Sequence, residues 1–150
     1  MLRRLGMIAV FALFVGLAVA RPAFADAFMD GLTALPGNVE EVRIGGTWDR
    51  EGKSGAYRIL VARSGGDVIT ARLFVQWLVY NDDGGATVSD TIEIKELADL
   101  GVDIVDFTSD TDQDGLTVFV QTLDPNGSND LNYELNVTSP TQYTFRPASN

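Results

Sequence analysis

Between Asp110 and Gly115 the chain reads Asp-Thr-Asp-Gln-Asp-Gly, three carboxylates at alternate positions ahead of a glycine. Oxygen-rich side chains at that spacing suit a hard cation such as calcium, which takes about six to eight oxygen ligands in flexible geometry. Asp110, Asp112 and Asp114 would be ligands, and the carbonyl of Leu116 a fourth donor. The Asp114-Gly115 pair is also an ordinary two-residue hairpin signal, and a plain acidic turn is the favoured reading over a calcium loop. Asp82 and Asp83 before Gly84-Gly85 form a second acidic turn of the same kind. The other chemistry open to carboxylates is general acid–base work, as in glycoside hydrolysis, which needs two that face each other with one desolvated. Asp103 and Asp106, within a semi-apolar stretch, are better placed for such perturbation than residues on a loop tip.

What is missing narrows the chemistry further. The chain has no His and no Cys, which removes Ser–His and Cys–His nucleophile pairs, imidazole–metal sites and disulfides. A protein that works by binding rather than by catalysis is the expectation, with no cofactor beyond a possible calcium ion in the Asp110–Leu116 loop.

The elements that must position these residues read as β throughout. Val68 to Tyr80 is the longest run, with Ile69, Ala71, Leu73, Val75, Trp77 and Val79 on one face. Asp90 to Leu97 alternates too, with Ile92 and Ile94 inward and Thr91, Glu93 and Lys95 outward. Leu131, Tyr133, Leu135 and Val137 alternate with Asn132, Glu134 and Asn136. Shorter strands are expected at Val39–Ile44, Tyr57–Arg63, Val102–Phe107, Leu116–Leu123 and Gln142–Phe145. Ser64-Gly65-Gly66, Asn81 to Gly85, Asp114-Gly115 and Asp124 to Gly127 supply turns. About eight short strands without a crossover helix predict an antiparallel β-sandwich or small β-barrel. A single β domain over residues 39–150 is therefore expected, after a short segment, 26–38, with room for a helical turn or two.

The first 25 residues have the form of a secretory signal peptide. Arg3 and Arg4 precede an apolar stretch from Leu5 to Ala20, and Ala23-Phe24-Ala25 gives the small-x-small cleavage pattern, so cleavage is expected after Ala25. The apolar stretch is shorter than the roughly 20 residues that span a bilayer. Export to the periplasm or the medium follows, with no stable membrane insertion of the mature form. Three of the eleven basic residues (Arg3, Arg4 and Arg21) leave with the leader, so eight basic face 21 acidic residues and the formal charge moves from −10 to −13. Such a field repels nucleic acid and favours a cationic partner. A protein or glycan of the cell envelope is the expected partner.

Two short stretches resemble known families. Gly46-Thr47-Trp48 resembles the Gly-x-Trp start of lipocalin and avidin-type barrels, and Gln76-Trp77-Leu78 is similar to a late avidin strand. That likeness implies a calycin-like barrel holding a small apolar ligand lined by Trp48, Phe74 and Trp77, with core packing as the plainer role for both tryptophans. Ser54-Gly55-Ala56-Tyr57 resembles the Ser-Gly-x-x-Tyr loop of periplasmic lysozyme inhibitors, one residue short, and implies that Ser54 and Tyr57 reach into a basic cell-wall lytic enzyme. The six residues from Asp110 resemble the first half of an EF-hand loop, but Gln121 stands where that loop has its bidentate carboxylate. Asn126-Gly127-Ser128 and Asn136-Val137-Thr138 match glycosylation acceptors, and in a chain whose leader is of bacterial style they are expected to be chance matches.

Overall fold

Alternation of side chains at a period of two dictates the fold, because each strand must bury one face and turn the other to solvent. The computed structural model describes residues 24–125, 127 and 130–149. All but the last two residues of the expected leader therefore lie outside the described residues. One helix, α1 (Phe24–Thr33), forms a unit of its own, and the β domain runs from Leu35 onward.

Within the β domain eight strands form two antiparallel four-stranded sheets. The first holds β1 (Val39–Arg50), β2 (Lys53–Ser64), β3 (Thr70–Tyr80) and β4 (Ala86–Glu93) in chain order. The second holds β5 (Asp103–Thr111), β6 (Leu116–Leu123), β7 (Asp130–Ser139) and β8 (Gln142–Pro147), again in chain order. Each sheet is a simple meander, and with no ladder between them the architecture is a sandwich of two sheets.

The inward rows build one core. Tyr57, Ile59 and Val61 of β2 and Ala71, Leu73, Val75 and Trp77 of β3 meet Ile104, Phe107, Leu116, Val118, Val120, Leu135 and Val137 of the second sheet. Ile59, Leu73, Val75, Val118 and Leu135 are fully buried. The middle of the sandwich is thus filled by side chains, at roughly 1.5–3 kcal/mol of transfer free energy for each large one.

One expected strand is cut short. The alternation of Asp90 to Leu97 ends at Glu93, and Lys95–Leu100 form a short helix, α2, that carries the chain between the sheets. Lys-Glu-Leu-Ala-Asp-Leu is rich in helix formers, and Gly101 closes the helix in the left-handed conformation at φ 63°, its N–H bonded to the Ala98 carbonyl. Leu97 is fully buried, so the residue expected at the end of a strand is the plug beneath the crossover. Two backbone bonds tie this link to β3, Ile94 N–H to Leu73 C=O at 2.9 Å and Ala71 N–H to Val102 C=O at 2.8 Å. Tyr143 of β8 holds it from the other sheet by donating its hydroxyl to Glu96 at 2.8 Å.

The sheets approach most closely where β1 meets β5. A bulge after Ile44 brings Gly46 to φ 140°, and a Cβ there would lie 2.7 Å from Thr111 Oγ1. Two arginines lace the same seam. Arg43 donates to Asp106 at 2.8 Å and to the Phe107 carbonyl at 2.7 Å, with its guanidinium 4.3 Å from the Phe107 ring centroid. Arg63 reaches Asp103 at 2.9 Å and Glu40 at 3.2 Å.

The hydrogen bond from Arg43, with a second from the Phe107 N–H, lowers the Asp106 pKa below its ordinary value. Folding therefore favours the ionised carboxylate. Its contribution is complete above the ordinary carboxylate range, about pH 4, and is lost as pH falls through the lower folded value. Both partners are about half exposed, so solvent screens the pair. Chemical denaturation across this range should show a shallower acid loss of stability in Arg43→Met than in the parent, and identical slopes would remove Asp106 from the account.

Candidate functional site

The Asp110–Leu116 segment folds as the hairpin between β5 and β6. Asp110 lies within β5 opposite Thr117, and its Oδ1 accepts the Thr111 N–H at 2.9 Å. Asp112 Oδ1 accepts the N–H groups of Asp114 and Gly115 at 2.8 and 3.1 Å, and the Asp112 N–H bonds the Gly115 carbonyl at 3.0 Å. This is a side-chain-closed turn in which a carboxylate satisfies the loop's own backbone donors. Leu116 is buried at the start of β6. Among the described residues no three acidic side chains come together to hold a metal ion.

Asp103 and Asp106, the carboxylates expected to be best placed for acid–base work, both lie in β5. They face the arginines of the β1–β5 seam and bond their own following N–H groups, Ile104 and Phe107, at 2.8 Å each. Asn136, in β7, uses its amide on Thr117 and Glu134, at 2.8 and 2.9 Å. Asn126 lies outside the described residues.

Register explains what gathers at one end of the sandwich. Across the inner face of the first sheet, Gly46, Tyr57, Trp77 and Asp90 stand side by side. The next row outward is Trp48, Gly55, Val79 and Thr87, and beyond it Arg50 faces Lys53. Three side chains of this staircase are aromatic. The Tyr57 and Trp77 rings meet edge-on, with centroids 5.7 Å apart at 71°. The Trp48 indole lies over Gly55, where a Cβ would sit 2.7 Å from Trp48 Cζ2 and collide with the Leu78 carbonyl oxygen. Gly55 is therefore the residue that lets the indole lie flat on the sheet.

These rows form the floor of an open cleft of about 260 Å³, lined by Trp48, Arg50, Lys53, Tyr57, Trp77 and Val79, with Ser89 and Asp90 of β4 on one side and Ser139-Pro140 of the β7–β8 turn above. Burial pushes the Tyr57 hydroxyl pKa up, against the opposing pull of the Arg50 charge and the Trp77 indole, so the phenol stays protonated. The Trp48 indole N–H is buried without an acceptor, the single such side-chain atom among the described residues. Comparison with protein-family models, curated proteins and solved structures finds no match.

The cations of the cleft divide the labour. Arg50 donates to the carbonyls of Thr138 at 2.7 Å and Asp114 at 3.0 Å, so it ties the β1–β2 turn to the β5–β6 and β7–β8 hairpins of the second sheet. Lys53, directly opposite, makes no ion pair or side-chain hydrogen bond among the described residues, and neither does the Asp90 carboxylate. Two like charges facing each other across a hairpin are unfavourable. The turn between them, Glu51-Gly52, has both residues at positive φ, 54° and 73°, as a tight two-residue hairpin demands.

Of the residues expected to line a ligand cavity, Trp48 and Trp77 meet and Phe74 does not. Three positions separate Phe74 from Trp77, which places them on opposite faces of β3, and Phe74 lies outside beneath the Arg72 guanidinium at 5.1 Å. Ser54 and Tyr57 belong to β2 rather than to a projecting loop: Ser54 is exposed opposite Asp49, while Tyr57 is 2% exposed and faces inward. Only the tyrosine reaches the cleft. Lys53, Ser89, Asp90, Ser139 and Pro140 carry no local motif, and only the register of β3 with β4 and the packing of the second sheet assemble them.

Two outcomes test this geometry. Gly55→Ala must displace the Trp48 indole or part β2 from β3, so urea denaturation should show a loss of about 1–3 kcal/mol. For the hairpin, the melting midpoint should be the same in excess calcium as in chelator, since binding to the native state alone would raise it.

Proposed function

We propose that this chain is an exported, acidic β-domain protein of the cell envelope that works by binding, with its ligand seated in the Trp48–Tyr57–Trp77 cleft. One observation carries the reading: the half-buried Trp48, above the buried Tyr57 and Trp77 rings, lines the open end of an otherwise filled core together with a lysine and a carboxylate that make no ion pair or side-chain hydrogen bond among the described residues. Ligand sites are concave, mostly apolar and supplied with a few convergent polar groups, and this end of the sandwich has that composition. The filled middle of the sandwich speaks for a shallow mouth site over a calyx that swallows an apolar molecule. The leader-like N-terminus and the absence of His and Cys support export and a non-catalytic role. Among the described residues no helix is long and apolar enough to cross a membrane.

Trp48 and Trp77 are the only tryptophans in the chain, so its indole fluorescence reports on the cleft alone. Adding the small-molecule fraction of a bacterial envelope extract should shift that emission and raise the melting midpoint, with both effects reduced in Lys53→Met. An emission and midpoint indifferent to the extract would contradict the reading.

A further inference from the structure

A strand covered on one face alternates apolar with polar residues, whereas a strand covered on both reads as a near-continuous apolar run. The centres of β2 and β3 are of the second kind, with Ile59-Leu60-Val61-Ala62 in one and Leu73-Phe74-Val75 and Trp77-Leu78-Val79-Tyr80 in the other. Their members that do not face the core form a second apolar surface, on the outside of the first sheet. Register lines up Val42, Leu60 and Phe74 in one row of it and Thr47, Ala56, Leu78 and Val88 in another. Ala56, Leu60, Ala62 and Leu78 are at most 8% exposed, although none of them belongs to the core between the sheets. Around them Val42, Ile44, Tyr80 and Val88 stand 45% to 59% exposed. The outer face of the second sheet is built otherwise: Asp110, Thr117, Asn136 and Thr144 form one row, and in the next Phe119 stands among Thr108, Glu134 and Arg146.

Charge selects what can cover this face. The chain carries −10 overall, yet the surface holds two arginines, Arg58 and Arg72, against two carboxylates, Asp49 and Glu93, and is neutral. An anionic membrane would repel so acidic a molecule, and a cationic protein would be drawn to carboxylates elsewhere rather than to a neutral apolar face. A second copy, equally acidic, can approach closely only where the local charge cancels, and here it does. Size agrees. Four strands about 4.8 Å apart, and β3 from Arg72 to Tyr80 at about 3.4 Å per residue, give a face of roughly 600 Å². Two copies laid face to face would bury about 1,200 Å² in all, the lower end of what a specific interface needs, with the sheets about 10 Å apart. We propose that the protein associates as a two-fold dimer through the outer face of its first sheet, where Val42, Ile44, Tyr80 and Val88 are covered by the same face of the second copy. This face is the reverse of the one that floors the cleft.

The test is analytical ultracentrifugation of the protein recovered from expression of the full chain. Over about 1 to 100 μM it should pass from monomer to dimer, as suits an interface at the small end of the range. Ile44→Lys and Val88→Lys should each weaken the association roughly tenfold or more, because a lysine covered without a partner is unfavourable. Both substitutions lower the net negative charge, so weaker association cannot come from added repulsion between copies. Both sites are exposed in the single chain, so both variants should keep the parent melting midpoint at concentrations where the parent is monomeric. Phe119→Lys adds the same charge at an equally exposed site on the other sheet and should not weaken the dimer. A monomer at every concentration overturns the dimer, and uptake of that monomer by phosphatidylcholine vesicles, lost in Ile44→Lys, would give the face to lipid instead. Association that Phe119→Lys abolishes, or that Ile44→Lys and Val88→Lys leave intact, overturns the assignment to this face.

Discussion

Two four-stranded sheets share one core and are laced together along the seam where β1 runs against β5. At that seam Gly46 gives Thr111 the space a side chain would occupy, and Arg43 and Arg63 cross from the first sheet to carboxylates and carbonyls of the second. The chain makes a single crossover between the sheets, through α2, and pins it to β3 with backbone bonds on either side of the helix. With no disulfide available, this combination of a shared apolar core, a glycine-permitted close approach and partly exposed ion pairs holds the sandwich. Burial does most of the stabilising, because screened surface pairs are each worth less than about 1 kcal/mol.

A sandwich closed along one seam has ends, and the end near the β1–β2 turn is where the inward rows run out of opposing side chains. Deeper in, Ile59 and Val75 meet Leu116, Val118 and Val137. Toward the end, the first sheet presents Tyr57, Trp77 and Trp48, and the second offers only the Ser139-Pro140 turn. The cleft is therefore a consequence of strand length: β1 and β2 extend past the point at which the second sheet can cover them. Arg50 keeps that overhang in place by holding two carbonyls of the second sheet, which leaves Lys53 as the cation that faces the cleft unbonded.

Much of this was legible in the sequence, and the reason is periodicity. Leu116–Leu123 has the limits expected of it, and the other strands begin or end within a few residues of expectation because β-branched and aromatic runs alternate cleanly. The exceptions have physical causes. Gly45-Gly46 breaks the pattern of β1 without ending the strand, since the glycines there form a bulge, so the continuation to Arg50 was hidden. The alternation of Ile92, Ile94 and Lys95 runs on into a helix because a six-residue helix is too short to show its own period. The acidic loop at Asp110–Asp114 draws attention by composition, yet the Asp110 and Asp112 carboxylates accept backbone N–H groups of the hairpin itself. The cleft had the opposite signature. Trp48, Tyr57 and Trp77 stood out singly, but only cross-strand register places them in adjacent rows beside Asp90, and no local pattern records register.

The most direct test of the cleft as the binding site is nitrogen–proton correlation NMR of the labelled protein, because its two indole N–H signals arise from Trp48 and Trp77. On adding the small-molecule fraction of an envelope extract, both indole signals and the backbone amides of Lys53, Tyr57 and Asp90 should move together and saturably, with the β1–β5 seam unchanged. Saturable shifts that gather on the outer face of either sheet, with both indole signals still, would contradict it.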